Sequence, residues 1–148
     1  MSDDDHLIKL YSQRILALAA EIPLTDRLAA PQASAKRRSP LCGSTITVDL
    51  ALQDGRVAAF GQDVRACALG QASASILARH VVGASRAEIA TAREAPGAML
   101  KAGGPAPQAP FDELAVLLPA RDYKNRHASI MLAWDATLAA FDEGLAAA

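Results

Sequence analysis

Two cysteines, Cys42 and Cys67, are the side chains of this 148-residue sequence best suited to chemistry. A thiolate is a soft metal ligand and a nucleophile towards sulfur. Two cysteines do not suggest a disulfide framework, and in a reducing compartment a spaced pair reads as metal-binding or reactive. Composition alone also admits two inert buried thiols. Cys42 stands just before a strand pattern, and Cys67 just after the returning strand, at the first turn of a helix. A hairpin brings its chain back to the level at which it left, so the two sulfurs are expected within several Å of each other. A helix N-terminus at Cys67 would favour thiolate over thiol. After Cys42, Gly43 permits a tight backbone turn, and Ser44 can donate to a sulfur but is a poor metal ligand when neutral.

Three histidines are the other candidate ligands. His6 falls near the N-terminus and reads as a surface residue. His80 lies 13 residues beyond Cys67 on the same expected helix, roughly 20 Å away at the helical rise, too far to share an ion. His127, near the start of the last helix, meets no such objection, although spacing alone does not put it beside the thiols.

The elements that must position these groups follow from periodicity. Ile8, Tyr11, Ile15 and Leu18 predict an amphipathic helix over His6–Ala20. Glu21–Pro40, with three prolines and the basic triplet Lys36-Arg37-Arg38, predicts irregular chain with one edge strand near its end. Strict alternation over Thr45–Leu52 predicts a half-buried strand, Asp54-Gly55 a tight turn, and Arg56–Gly61 the return. Ala66–Val82, dense in Ala and Ser, predicts a helix able to lie close against its neighbours, ended by Gly83. Ser85 and Glu88 form a capping box for a helix to about Glu94, resuming to Lys101 after Pro96-Gly97. Gly103–Pro110 reads as loop and Phe111–Leu118 as a short helix. A final helix over about Asn125–Leu145 carries Ile130, Trp134, Leu138, Phe141 and Leu145 on one face, with Trp134 in the core. The expectation is α+β: a small antiparallel sheet of about three strands packed against several helices.

Length and 51% hydrophobic content fit one domain over residues 1–148. Fifteen basic against sixteen acidic residues give no field that would draw nucleic acid. No apolar run approaches the ~20 residues of a membrane span. Three aspartates in Met1–Asp5 stand where an export signal carries positive charge, so a cytoplasmic protein is expected. A Cys/His hydrolase is set aside for want of an oxyanion hole, an orienting group and a family signature.

Three segments share an order with a known family: Ser39-Pro40-Leu41-Cys42-Gly43-Ser44, then Phe60-Gly61 through Cys67 and the small-residue run to Ser75, then Arg126-His127-Ala128-Ser129 through Leu132-Ala133-Trp134. From about Leu7 to the last helix the chain resembles the NifU-like (IscU/SufU-type) iron–sulfur cluster assembly scaffolds, whose SufE/NifU-like fold the expected elements match. The resemblance implies a scaffold on which sulfur from a cysteine desulfurase and iron are assembled and handed to iron–sulfur recipient proteins. It implies that Cys42 and Cys67 are cluster or metal ligands, and that Ser44 replaces an aspartate. The family's third cysteine is absent. Counting back from Trp134 puts Ser129 in its place, whereas counting forward from Pro119 leaves His127 as the nearest ligand-type side chain.

The sharp expectation is therefore a site of Cys42, Cys67 and His127 holding iron, an iron–sulfur cluster or zinc. The fourth position is left open among Asp63, Asp122, Ser129 and solvent. Arg121 and Arg126 flank the third ligand position and are weaker candidates. Two other readings stay open: a persulfide-accepting sulfurtransferase, and an inactive homologue kept as an interaction module. A homo-oligomer is compatible with each.

Overall fold

A computed structural model describes residues 12–40, 43–102, 104 and 107–147. The hairpin at its centre forms as its pattern requires. Strand β2 (Thr45–Gln53) buries Ile46, Val48 and Leu50 on one face. Asp54 and Gly55, both at positive φ, turn the chain into β3 (Arg56–Arg65). Strand β1 (Ala33–Arg38) pairs antiparallel with the outer side of β2, giving the order β1-β2-β3. The edge strand expected near the end of the irregular segment is thus β1, and its basic triplet is exposed.

Strand β3 runs four residues beyond the expected Gly61, because Val64 and Arg65 pair with Ile46 and Thr45. Gly61 marks a crossing rather than an end. A Cβ there would stand 2.3 Å from the Asp26 carbonyl oxygen, since residues 24–28 run along this edge and Leu24 accepts from the Gln62 N–H. The same segment seals the other face of β2. Asp49, expected on a polar face, is fully buried and accepts from Arg27 (2.5 and 2.9 Å), Ser34 (2.6 Å) and the Leu28 N–H (3.2 Å).

Helix α1 (Gln13–Ala20) starts later than expected because Ser12 caps it, its hydroxyl accepting from the Ile15 N–H. The expected His6–Tyr11 turns and His6 itself lie outside the described residues. Ile15 and Leu18 are buried against α2 (Ala68–His80), which is shorter at both ends than the expected Ala66–Val82. Helix α3 (Arg86–Ala102) begins at the expected cap, where Ser85 accepts from the Glu88 N–H. It runs unbroken through Pro96. A proline removes one helical donor, and burial of Ile89, Met99 and Leu100 on either side holds the helix together. The expected short helix after Phe111 is a 3-10 stretch, Asp112–Asp122, that buries Leu114 and Leu117.

Helix α4 (Lys124–Ala147) crosses β1 and β2 and packs on α2. Ile130, Trp134 and Phe141 are buried as expected, while Leu138 packs at the margin of the core. Leu145 is 44% exposed, contrary to its expected inward position. Gly144 faces the sheet instead, where a Cβ would stand 3.2 Å from Leu52 Cδ1. Trp134 Nε1 donates to Ser73 Oγ (3.0 Å), which donates to the Ile130 carbonyl (2.7 Å), so the two central helices are tied by a buried chain of hydrogen bonds. Among the described residues no helix is long and apolar enough to cross a membrane.

Candidate functional site

The open end of the hairpin is where Thr45 pairs with Arg65. Immediately before it, two backbone bonds join Ser39 to the chain just ahead of the strand: Ser39 N–H to Ser44 O (2.8 Å) and Gly43 N–H to Ser39 O (2.9 Å). Gly43 lies at φ +73, a conformation that side chains with a Cβ rarely adopt. Cys42 lies outside the described residues, so its expected meeting with Cys67 is known only as far as Ser44, two positions away.

Cys67 follows the other strand and is the N-cap of α2. Its sulfur makes no capping hydrogen bond as a thiol, yet the Leu69 and Gly70 N–H groups face it from the first turn. Burial pushes the Cys67 thiol up. The Ser129 hydroxyl, those two N–H groups and the Arg126 guanidinium together outweigh burial and hold it below the ordinary value of 9.0. A half-buried thiol biased towards thiolate is what metal binding and sulfur transfer both need.

Ser129 ties the two sides of the site together. Its Oγ is 3.5 Å from Cys67 Sγ and 3.2 Å from Ser44 Oγ. It can come this close because Gly70 has no side chain: a Cβ there would lie 2.5 Å from Ser129 Oγ. Ser44 and Ser129 are both buried, the first 5% and the second 1% exposed. The two residues singled out as standing in for family ligands are therefore in contact, and both are hydroxyls.

His127 lies two positions before Ser129 on α4, so the two side chains leave the helix about 200° apart. His127 Nε2 is 3.0 Å from the Ala120 carbonyl oxygen and 3.1 Å from that of Arg121. Since both partners can only accept, this nitrogen carries a proton, which leaves Nδ1 as the ring atom available to a metal in the neutral form. A ring N–H held by a carbonyl is the usual support for a ligating histidine. Its ring nevertheless lines a cavity between α3 and α4 with Arg93, Lys101 and Met131, and among the described residues no hydrogen bond links it to the Cys67–Ser129 contact. Asp63 is ion-paired with Arg65 at 3.3 Å and Asp122 is exposed. Among the described residues no three of His, Cys, Asp and Glu converge as a metal site.

Sequence reasoning missed Gly70 and the Ser44–Ser129 contact. The only signal for the latter was that both serines occupy ligand positions in the family pattern. It also missed the cationic lining of the cavity beside His127, whose contributors are scattered from Arg93 to Lys124.

No family model matches the chain, and no curated protein matches it. Solved structures do. A nitrogen-fixing NifU-like protein (N-terminal) from Brucella abortus is 44% identical, superposes with a TM-score of 0.93, and the match covers 97% of this chain and 99% of that one. A candidate iron–sulfur cluster assembly scaffold protein for the SUF system from the thermophile Fervidobacterium islandicum AW-1 shares the fold at a TM-score of 0.79. Its identity is 15%, over 90% of this chain and 98% of that one. A hypothetical protein shares it at 0.77 and 19% identity, over 91% and 98% of the two chains. With identity of this order across nearly its whole length and a three-stranded α+β fold in common, the chain belongs to the NifU-like family.

Proposed function

We propose that residues 1–148 act as one scaffold domain for iron–sulfur cluster assembly, with the cluster or its iron as cargo. Family membership supports this reading, as does the naming of a same-fold protein as a candidate assembly scaffold. The observation that carries it is Cys67: a half-buried thiol below its ordinary pKa, at the mouth of the hairpin, bridged through Ser129 to Ser44, two positions after Cys42 in the sequence.

Cys42 and Cys67 are the sulfur ligands in this proposal, and His127 Nδ1 is the nitrogen candidate. The donor set fits a metal only in part. Ser44 and Ser129 present neutral hydroxyls, which are poor ligands for iron or zinc, so solvent or a partner's side chain completes the coordination. Zinc would call on the same Cys42, Cys67 and His127, with the His127 ring turned out of the cavity between α3 and α4. A cysteine desulfurase supplies the sulfur and iron–sulfur proteins receive the product, in the cytoplasm. The test is reconstitution of anaerobically purified protein with ferrous iron and sulfide, followed by visible absorption and iron analysis. Cys42→Ala and Cys67→Ala should each abolish cluster formation; unchanged iron stoichiometry in both would sink the proposal.

One observation favours a second reading. Replacement of two ligand positions by touching hydroxyls leaves Cys67 better equipped as a sulfur acceptor than as one of three thiolate ligands. In that role the Cys67 thiolate attacks the outer sulfur of a desulfurase persulfide. A new S–S bond forms at Cys67 and the desulfurase cysteine leaves as thiolate, with no net redox change. Sulfur acceptance would then survive in Cys42→Ala and His127→Ala and vanish in Cys67→Ala.

A further inference from the structure

Between α3 and the start of α4 lies an open cavity of about 590 Å³. Its walls carry Arg93, Lys101, Arg121 and Lys124 against a single carboxylate, Asp135. The chain as a whole is balanced, with fifteen basic and sixteen acidic residues, so this is local segregation rather than a generally basic surface. Arg93 is held by Asp135, its Nε 2.6 Å from Oδ1. Among the described residues Lys101, Arg121 and Lys124 have no carboxylate within ion-pair distance.

Three unneutralised cations converging on one concavity repel one another, and a low-dielectric wall focuses their field into it. The first turn of α4 adds to the imbalance. It holds no acidic residue and begins with Lys124, at the helix end where a negative charge is the stabilising choice. Leu100 and Met131, both buried, supply an apolar floor, and the volume falls in the range of small-ligand sites.

We propose that this cavity binds a small organic or inorganic anion bearing two or more negative charges, with Lys101, Arg121 and Lys124 as its charge partners. Cys67 and Ser129 do not line this cavity, whereas His127, the nitrogen candidate of the scaffold reading, does; the proposal does not rest on that reading.

Isothermal titration calorimetry with inorganic pyrophosphate and with citrate, at low ionic strength, tests the proposal and separates phosphate from carboxylate chemistry. Saturable one-to-one binding of either anion is expected. It should weaken by about tenfold or more in Lys101→Ala/Lys124→Ala and in Arg121→Ala, which alter exposed side chains. Circular dichroism checks that these variants fold. Binding should persist in Lys36→Ala, on the exposed basic triplet of β1, and in Cys67→Ala. Absence of saturable binding by both anions would overturn the proposal, as would an equal loss in Lys36→Ala. Binding of a hexaglutamate peptide alone, lost in the cavity variants, would also overturn it, in favour of an acidic protein partner.

Discussion

The hydroxyl of Ser129 lies 3.5 Å from the sulfur of Cys67, and the same oxygen is 3.2 Å from the hydroxyl of Ser44. One side chain on α4 thus bridges the two arms of the hairpin mouth. With Leu69, Gly70 and Arg126 it outweighs the burial that would otherwise raise the thiol.

Removing that hydroxyl should be legible in the titration of Cys67. In Ser129→Ala the pH midpoint of iodoacetamide alkylation at Cys67, measured in a Cys42→Ala background, moves upward. Alkylation near neutral pH slows in step, by up to about tenfold when the midpoint rises from one pH to the next whole number. Because the folded pKa is depressed, thiolate stabilisation is present above the unfolded value and lost as pH falls through the folded one. The variant's stability deficit should therefore be larger at pH 9 than at pH 6, on top of about 1 kcal/mol for the lost hydroxyl contact. An unmoved alkylation midpoint would show that Ser129 does not tune the thiol.

Gly70 sets how closely α2 approaches that hydroxyl. A methyl group at this position meets Ser129 Oγ at 2.5 Å, Ala66 Cβ at 2.9 Å and the Ser129 carbonyl at 3.1 Å, two of them on an α4 that the core holds in place. Gly70→Ala should lower stability by about 1–3 kcal/mol despite alanine's better helix propensity. Cys67 alkylation should change as well, because the serine is displaced from the sulfur. Urea denaturation with wild-type stability would mean that α2 and α4 move apart freely.

Asp49 is the buried charge on which residues 24–28 are hung. Its carboxylate takes four hydrogen bonds, two from Arg27, and these hold it below the usual carboxylate range against the opposing effect of burial. Such a group contributes stability above its unfolded pKa and loses it as pH falls through the depressed folded value, so the contribution disappears only in acid. Asp49→Asn should cost roughly 2–4 kcal/mol at neutral pH, the low end applying because Arg27 is half exposed and can be solvated again. The difference from wild type should begin to shrink below about pH 4, where the unfolded carboxylate takes up a proton, and go on shrinking until pH falls through the depressed folded value. A constant difference between pH 7 and pH 3 would assign the loss to packing instead of charge.

The hairpin is readable because alternation over Ile46–Leu52 and Asp54-Gly55 are local signals, and its open end is where Cys42 and Cys67 are expected to meet; the described residues show Ser44 and Cys67 on its two arms, each in contact with Ser129. The long helix was readable from the spacing of Ile130, Trp134 and Phe141. Gly61 was misread as an end because nothing local reveals that the 24–28 backbone crosses there. Alternation leaves Asp49 on the face opposite Ile46, Val48 and Leu50, and its burial there is not legible for the same reason, since it depends on Arg27 more than twenty positions away. Within the site, Cys67 followed from topology, whereas the direction of His127 depends on which carbonyls Ala120 and Arg121 present at the end of a 3-10 stretch that periodicity does not foresee.

Ser129→Cys tests whether the hydroxyl is what limits metal binding here. A sulfur in place of Oγ is only slightly larger, starts 3.5 Å from Cys67 Sγ, and faces Ser44 two residues beyond Cys42. The substitution converts a neutral, weak donor into a third thiolate. If the fold is a cluster site lacking one ligand, the variant should retain iron and sulfide against a chelator at least about tenfold better than wild type, the equivalent of about 1.4 kcal/mol. Visible charge-transfer absorption should rise in parallel, and the gain should vanish in Ser129→Cys/Cys67→Ala. If the site serves as a sulfur acceptor, a second thiol in contact with Cys67 instead resolves the Cys67 persulfide. Sulfide is then released with formation of a disulfide that mass spectrometry detects, and iron retention stays at the wild-type level.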